Sequence, residues 1–127
     1  MKIKGKIVSG KQLGRTIGFP TANLQPDSSP EIKNGVYAAW FCLEEMRLPC
    51  MLNIGRHPTV PDGAPTIEAH VIGFQGDLYG RRAELETIAF LRSEIKFPSV
   101  DALREQLERD RIRTLEILNN DKSTGIE

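Results

Sequence analysis

The sequence has only two cysteines in 127 residues, Cys42 and Cys50, and their spacing fits neither a C-x-x-C redox pair nor a zinc knuckle. Free thiols in a reducing compartment are the expected state. There is no surplus of either charge: 17 Lys and Arg balance 17 Asp and Glu. That balance removes the bulk attraction on which general nucleic-acid and anionic-membrane binders rely. Aromatic residues make up only 6 % of the chain, too few for a run of base-stacking platforms. No window approaches the ~18 apolar residues of a membrane span, and no apolar stretch of a signal peptide follows the first residues. The chain reads as a soluble, cytoplasmic protein with no nucleic-acid or membrane partner, and monomeric by default. No Ser-His-Asp or Cys-His order suggests a covalent nucleophile, and no His/Asp/Glu cluster suggests a tight metal cage.

What is present is a β rhythm. Up to about residue 91, Gly, Pro, Asn or Asp recur every eight to fifteen positions, and short stretches rich in β-branched and aromatic residues lie between them. The expected strands are Ile3–Ser9, Gly35–Cys42, Leu48–Ile54, Thr66–Phe74 and Arg82–Ala89, with a short one at Ala22–Leu24. Six short strands avoid exposed edges most simply by closing into a small barrel. After Pro98 the period changes. Ser99 can cap a helix, Asp101 suits its positive end, and Val100, Leu103, Leu107, Leu115 and Leu118 form its apolar side. The fold class is therefore mainly β: a closed six-stranded barrel over residues 1–98, one C-terminal amphipathic α-helix over 100–118 and a frayed tail over 119–127, all in a single domain. Glu105 with Arg109, and Glu108 with Arg111, belong to a solvated helix face.

The densest anomaly follows the first strand: Gly10-Lys-Gln-Leu-Gly-Arg-Thr-Ile-Gly18, then Phe19-Pro-Thr-Ala-Asn23. Three glycines and two cations could present backbone N–H groups and charge to phosphates, or merely make a pliant β-loop. It is neither a Walker A loop nor a dinucleotide fingerprint. If the chain is extended at Pro20-Thr21-Ala22-Asn23, Thr21 and Asn23 project to one side, two neutral hard oxygens close together. Such a pair suits Mg²⁺ when phosphate and water complete its shell, although ordinary turn residues would look the same.

The run Gly14-Arg-Thr-Ile-Gly-Phe-Pro-Thr-Ala-Asn23 resembles the glycine-rich, PTAN-containing signature of riboflavin kinases. Further blocks resemble that family in order: Asn34-Gly-Val-Tyr37, Asn53-Ile-Gly-Arg-His-Pro-Thr59, Ile67-Glu-Ala-His70, Asp77-Leu-Tyr-Gly80 and Leu91-Arg-Ser-Glu-Ile-Lys-Phe97. The likeness reaches to about residue 113 and implies a Greek-key barrel that phosphorylates riboflavin to FMN with ATP and Mg²⁺. In bacteria such a domain is commonly the C-terminal half of a bifunctional flavokinase and FAD synthetase. No HxGH-type nucleotidyltransferase motif occurs in these 127 residues, so FAD synthesis is not inferred.

The resemblance also implies roles. Thr21 and Asn23 match the ligands of Mg²⁺ and the ATP phosphates; Gly10, Gly14, Arg15, Gly18 and Pro20 match the flap and phosphate contacts; Glu68 matches the catalytic base. Arg92, Ile95 and Phe97 match positions near the flavin, and Tyr79 is an aromatic candidate for the same ring. His70 shares a strand face with Glu68 and either orients it or packs with its nitrogens satisfied locally. Ile67, Ala69 and Val71 lie on the opposite side of that strand, Trp40 and Phe41 must point to opposite faces, and His57 carries no assigned role. Two alternatives stand beside the kinase: a flavin-binding module without turnover on the same barrel, and an OB-like barrel for single-stranded nucleic acid.

Overall fold

The structure is a computed structural model that describes residues 1–11, 19–56, 65–74 and 76–120, with the backbone alone at 9–11, 56 and 65. Six strands, β1 (Lys2–Lys11), β2 (Thr21–Pro26), β3 (Gly35–Leu43), β4 (Met46–Arg56), β5 (Pro65–Val71) and β6 (Arg82–Arg92), precede one helix, α1 (Val100–Asn119). They close in the order β1-β2-β5-β4-β3-β6, every pair antiparallel. β3, β4 and β5 form a meander and β6 returns to lie beside β3, which is a Greek key.

Alternation along the strands decides what fills the barrel. Tyr37, Ala39 and Phe41 of β3 point inward with Leu52 and Ile54 of β4, Ile67, Ala69 and Val71 of β5 and Leu85 of β6. Phe41, Leu52, Ile54 and Leu85 are fully buried, so side chains occupy the interior. The intervening residues Val36, Ala38 and Trp40 face outward, where they meet Leu91, Ile117 and Leu118. Trp40 thus lies under the helix and Phe41 inside the barrel.

Several strands depart from their expected ends. β3 and β4 run on to Leu43 and Met46 because Glu44 adopts φ +54° and closes a two-residue turn without glycine or asparagine. β5 stops at Val71, not Phe74, where Gly73 at φ +79° turns the chain away. β6 continues to Arg92, with two register shifts in its pairing with β3. Cys50 is buried opposite Ala39 while Cys42 stands opposite Arg47; both thiols are free, and burial pushes that of Cys50 far up.

Ser99 caps the helix as expected, accepting from the Ala102 amide at 3.1 Å, and Asn120 closes the other end by donating to the Ile117 carbonyl. Leu103 and Leu107 pack near Phe19 and Met51, and Leu118 reaches the β3–β6 face. Val100 does not join them: it is 47 % exposed. The buried stripe instead runs through two polar residues, Asp110 and Thr114. On the other face Arg111 pairs with Glu108, as expected, while Arg109 donates to Gln106 and not to Glu105. No described helix is long and apolar enough to cross a membrane. Residues 121–127 of the expected tail lie outside the described residues.

At Gly5 of β1 the neighbouring strand β2 leaves no room for a side chain. A Cβ there would stand 2.3 Å from the Gln25 carbonyl oxygen and 2.8 Å from Leu24 Cδ2. Gly5→Ala is expected to lower unfolding stability by about 1–3 kcal/mol through backbone displacement. Urea denaturation checks it, as a lower midpoint at unchanged slope; an unaltered midpoint would show that the two strands can part at no cost.

Candidate functional site

The filled interior leaves the outer face for chemistry, and strand register assembles the site there. Asn23 of β2 stands opposite Glu68 of β5, and Glu68 opposite Asn53 of β4. The same row continues through Val36 of β3 to Arg92 of β6. Because Ile67 and Ala69 point inward, Glu68 must point outward, and directly opposed residues share a face. Thr21 shares that outward side of β2, since Ala22 and Leu24 pack inward.

A cavity of about 350 Å³ lies against this row. Its floor is strand: Thr21, Asn53, Glu68 and His70. Its walls are Arg92 at the end of β6, then Glu94, Ile95 and Phe97 after it, and the first turns of α1, with Leu103 and Leu107. Polar strand groups within a largely apolar surround suit a ligand with an apolar body and a hydroxylated end. A second cavity, about 210 Å³, opens at the barrel mouth between Pro20 and Ala22 and the turn carrying Asp77 and Tyr79. Thr21 lines both, so the two spaces adjoin at that residue.

Two floor oxygens are buried without a hydrogen-bond partner among the described residues: Thr21 Oγ1 and Asn53 Oδ1. Burying a polar atom unpaired costs about 1–3 kcal/mol, so a ligand atom that bonded either oxygen would offset that cost. Thr21 Oγ1 is a neutral hard oxygen and fits a hard cation that takes few protein ligands. No group of three His, Cys, Asp or Glu converges among the described residues, which leaves that few-ligand mode as the one the donor set can serve.

His70 does not turn toward Glu68. Its Nδ1 lies 2.7 Å from the Pro20 carbonyl, and since a carbonyl can only accept, Nδ1 carries the proton. The ring packs against Phe19 at 5.2 Å between centroids. His70 thereby pins the peptide preceding Thr21 and is satisfied locally. Arg92 is anchored with equal definition: Nε and Nη2 grip Asp110 of α1 at 2.7–3.2 Å, Nη1 donates to the Ser93 carbonyl, and the guanidinium faces the Phe97 ring at 5.8 Å.

The sequence-derived residues therefore divide. Thr21, Asn23, Glu68, Arg92, Ile95 and Phe97 gather around one row and one cavity. Asn23 is placed there by register with Glu68 and does not line the cavity wall. Tyr79 stands apart from Arg92 and Phe97: it is 70 % exposed and lines the barrel-mouth cavity, because the turn after β5 folds over that end. Gly10 lies at the end of β1 opposite Ala22. Gly14, Arg15, Gly18 and His57 lie outside the described residues. Two functional candidates carried no role in the sequence reading, Asn53 and Asp110; the first stood in a quoted block, and the second was hidden as a polar residue on the buried helix stripe.

Burial lowers the His70 pKa from its ordinary value near 6.5, outweighing the opposing bond to Pro20, and Arg111 lowers it further. The unfolded chain then binds a proton more readily than the folded one, so stability rises with pH through the window between the lowered value and 6.5. Between pH 7.5 and 5.5 the wild type is expected to lose more unfolding free energy than His70→Gln, whose side chain does not titrate. Parallel pH dependences in denaturant melts would refute this.

The riboflavin kinase (flavokinase) family model matches residues 1–118. The bifunctional riboflavin kinase/FMN adenylyltransferase of Escherichia coli strain K12 is 40 % identical over 115 residues, covering 90 % of this chain and 37 % of that protein. The protein of the same description from Haemophilus influenzae is 38 % identical over 110 residues, covering 86 % and 36 %. The chain thus spans little more than a third of these relatives. Among solved structures, riboflavin kinase from Trypanosoma brucei matches with a TM-score of 0.74 and 26 % identity, over 95 % of this chain and 81 % of that one.

Proposed function

The chain belongs to the riboflavin kinase family, and from that premise we propose that it transfers the γ-phosphoryl group of ATP to the ribityl 5′-hydroxyl of riboflavin, giving FMN and ADP. The observation that carries this reading is the outward row Asn23–Glu68–Asn53 beside a cavity whose floor holds the Thr21 hydroxyl oxygen, unpartnered among the described residues. The isoalloxazine ring fits between Phe97, Ile95 and the two helix leucines, and the ribityl chain runs down to Glu68. The phosphates of ATP approach from the barrel mouth, on the other side of Thr21.

In that arrangement the 5′-oxygen attacks the γ-phosphorus, the bond from γ-phosphorus to the β–γ bridging oxygen breaks, and ADP departs. The hydroxyl proton passes to the Glu68 carboxylate. Phosphoryl transfer needs mainly alignment and charge neutralisation. Thr21 and Asn23 would hold Mg²⁺, which supplies neutralisation of phosphate charge when bound. By the resemblance of their sequence, Arg15 and the glycines at 10, 14 and 18 are the groups assigned to the ATP phosphates. Asn53 Oδ1 accepts from a ribityl hydroxyl, and His70 keeps the Pro20–Thr21 peptide in place. The chain works in this reading as one cytoplasmic, monomeric domain without a nucleic-acid partner. A module that only bound flavin would have no use for a carboxylate beside the Thr21 oxygen.

Conversion of riboflavin to FMN, resolved by chromatography in the presence of ATP and Mg²⁺, tests the reading. Glu68→Gln is expected to reduce kcat by about 10²–10⁴-fold with the fold intact, as loss of a general base does. Asn23→Ala is expected to lose most activity. Activity within a few-fold of wild type in Glu68→Gln would remove its role as base. Tight flavin binding without FMN would replace the kinase by the binding module.

A further inference from the structure

Arg92 and Asp110 form the most buried ion pair among the described residues, with side chains 16 % and 5 % exposed. Asp110 accepts three ways: from Arg92 Nε, from Arg92 Nη2 and from Gln106 Nε2 at 2.9 Å, one helical turn away. Such a pair is a poor way to fasten a helix, since apolar residues of similar size hold as well without desolvating two charges. What it does supply is orientation. Arg92 has five N–H groups; Nε, one on Nη2 and one on Nη1 are taken by Asp110 and the Ser93 carbonyl. One N–H on Nη1 and one on Nη2 remain without a partner among the described residues, on a side chain that lines the larger cavity.

We propose that Asp110 is the positioning residue of the acceptor cavity: it locks the Arg92 fork so that two N–H groups meet the carbonyl edge of a planar, uncharged heterocycle. This rests on the proposed kinase reading for the identity of that heterocycle as the riboflavin ring. The pair is neutral overall, so Arg92 contributes direction with little net charge, which suits an uncharged acceptor. Phe97 beside the guanidinium and Leu103 and Leu107 on the helix then form the apolar flank of the same ring, and α1 becomes part of the acceptor site. Gln106 fixes Asp110 in turn.

The experiment is a double-mutant cycle on Asp110→Asn, Arg92→Lys and the two together. It reads KM for riboflavin, KM for ATP, and riboflavin affinity by quenching of flavin fluorescence. Each single substitution is expected to raise the riboflavin KM and dissociation constant about tenfold, the scale of one charge-assisted hydrogen bond. KM for ATP should stay within about twofold, and the double variant should be no worse than Arg92→Lys alone, because both changes remove one oriented group. Multiplying effects, an equal rise in the ATP KM, or an unchanged riboflavin constant in Asp110→Asn would overturn the proposal. If Asp110→Asn fails to fold, Gln106→Leu carries the test, with a smaller rise confined to riboflavin; no rise would overturn it. If the wild type binds riboflavin but makes no FMN, the kinase reading falls and the quenching titration still decides the role of Asp110; if it does not bind riboflavin, both fall.

Discussion

A closed barrel of six strands is too narrow to hold anything but its own side chains. Phe41, Leu52, Ile54, Ile67 and Leu85 use up that interior. Everything the protein does with other molecules is therefore displaced to the outer face, to the barrel mouth, and to whatever the chain can lay against them. Period-two alternation then does double work: the residues that complete the core on β2, β4 and β5 commit their neighbours Asn23, Asn53 and Glu68 to one outward row. The site is thus held by the most rigid part of the molecule, because displacing any member of the row means shifting a strand whose other face is packed.

The helix completes what the row begins. Its inner stripe is not purely apolar; it sets Leu103 and Leu107 over the cavity, then Asp110 against Arg92, then Leu118 against the sheet. Apolar contacts at both ends hold the helix down, and the charged contact between them sets an angle. Packing and orientation are separated along twenty residues, with the leucines supplying the first and the ion pair the second.

Much of this was legible in the sequence. Alternation and turn residues placed all six strands, and helical spacing with a Ser cap placed the helix. The ordered blocks singled out Thr21, Asn23 and Glu68, and strand periodicity put Glu68 and His70 on one face. What escaped has physical causes. The turn at Glu44 uses a left-handed glutamate where glycine or asparagine is the usual signal, so the β3–β4 hairpin was read too short. Counting apolar residues made Val100 part of the packed face and passed over Asp110, whose burial depends on a partner contributed by a different element. Tyr79 is a matter of loop direction: the turn after β5 folds toward the barrel mouth, and nothing in its composition says which way it folds.

Thr21 stands at the corner where the barrel mouth meets the outer face, with one chamber on each side. A corner shared by both chambers puts their occupants next to each other. On the proposed reading, transfer is then a direct hand-over with both chambers filled at once.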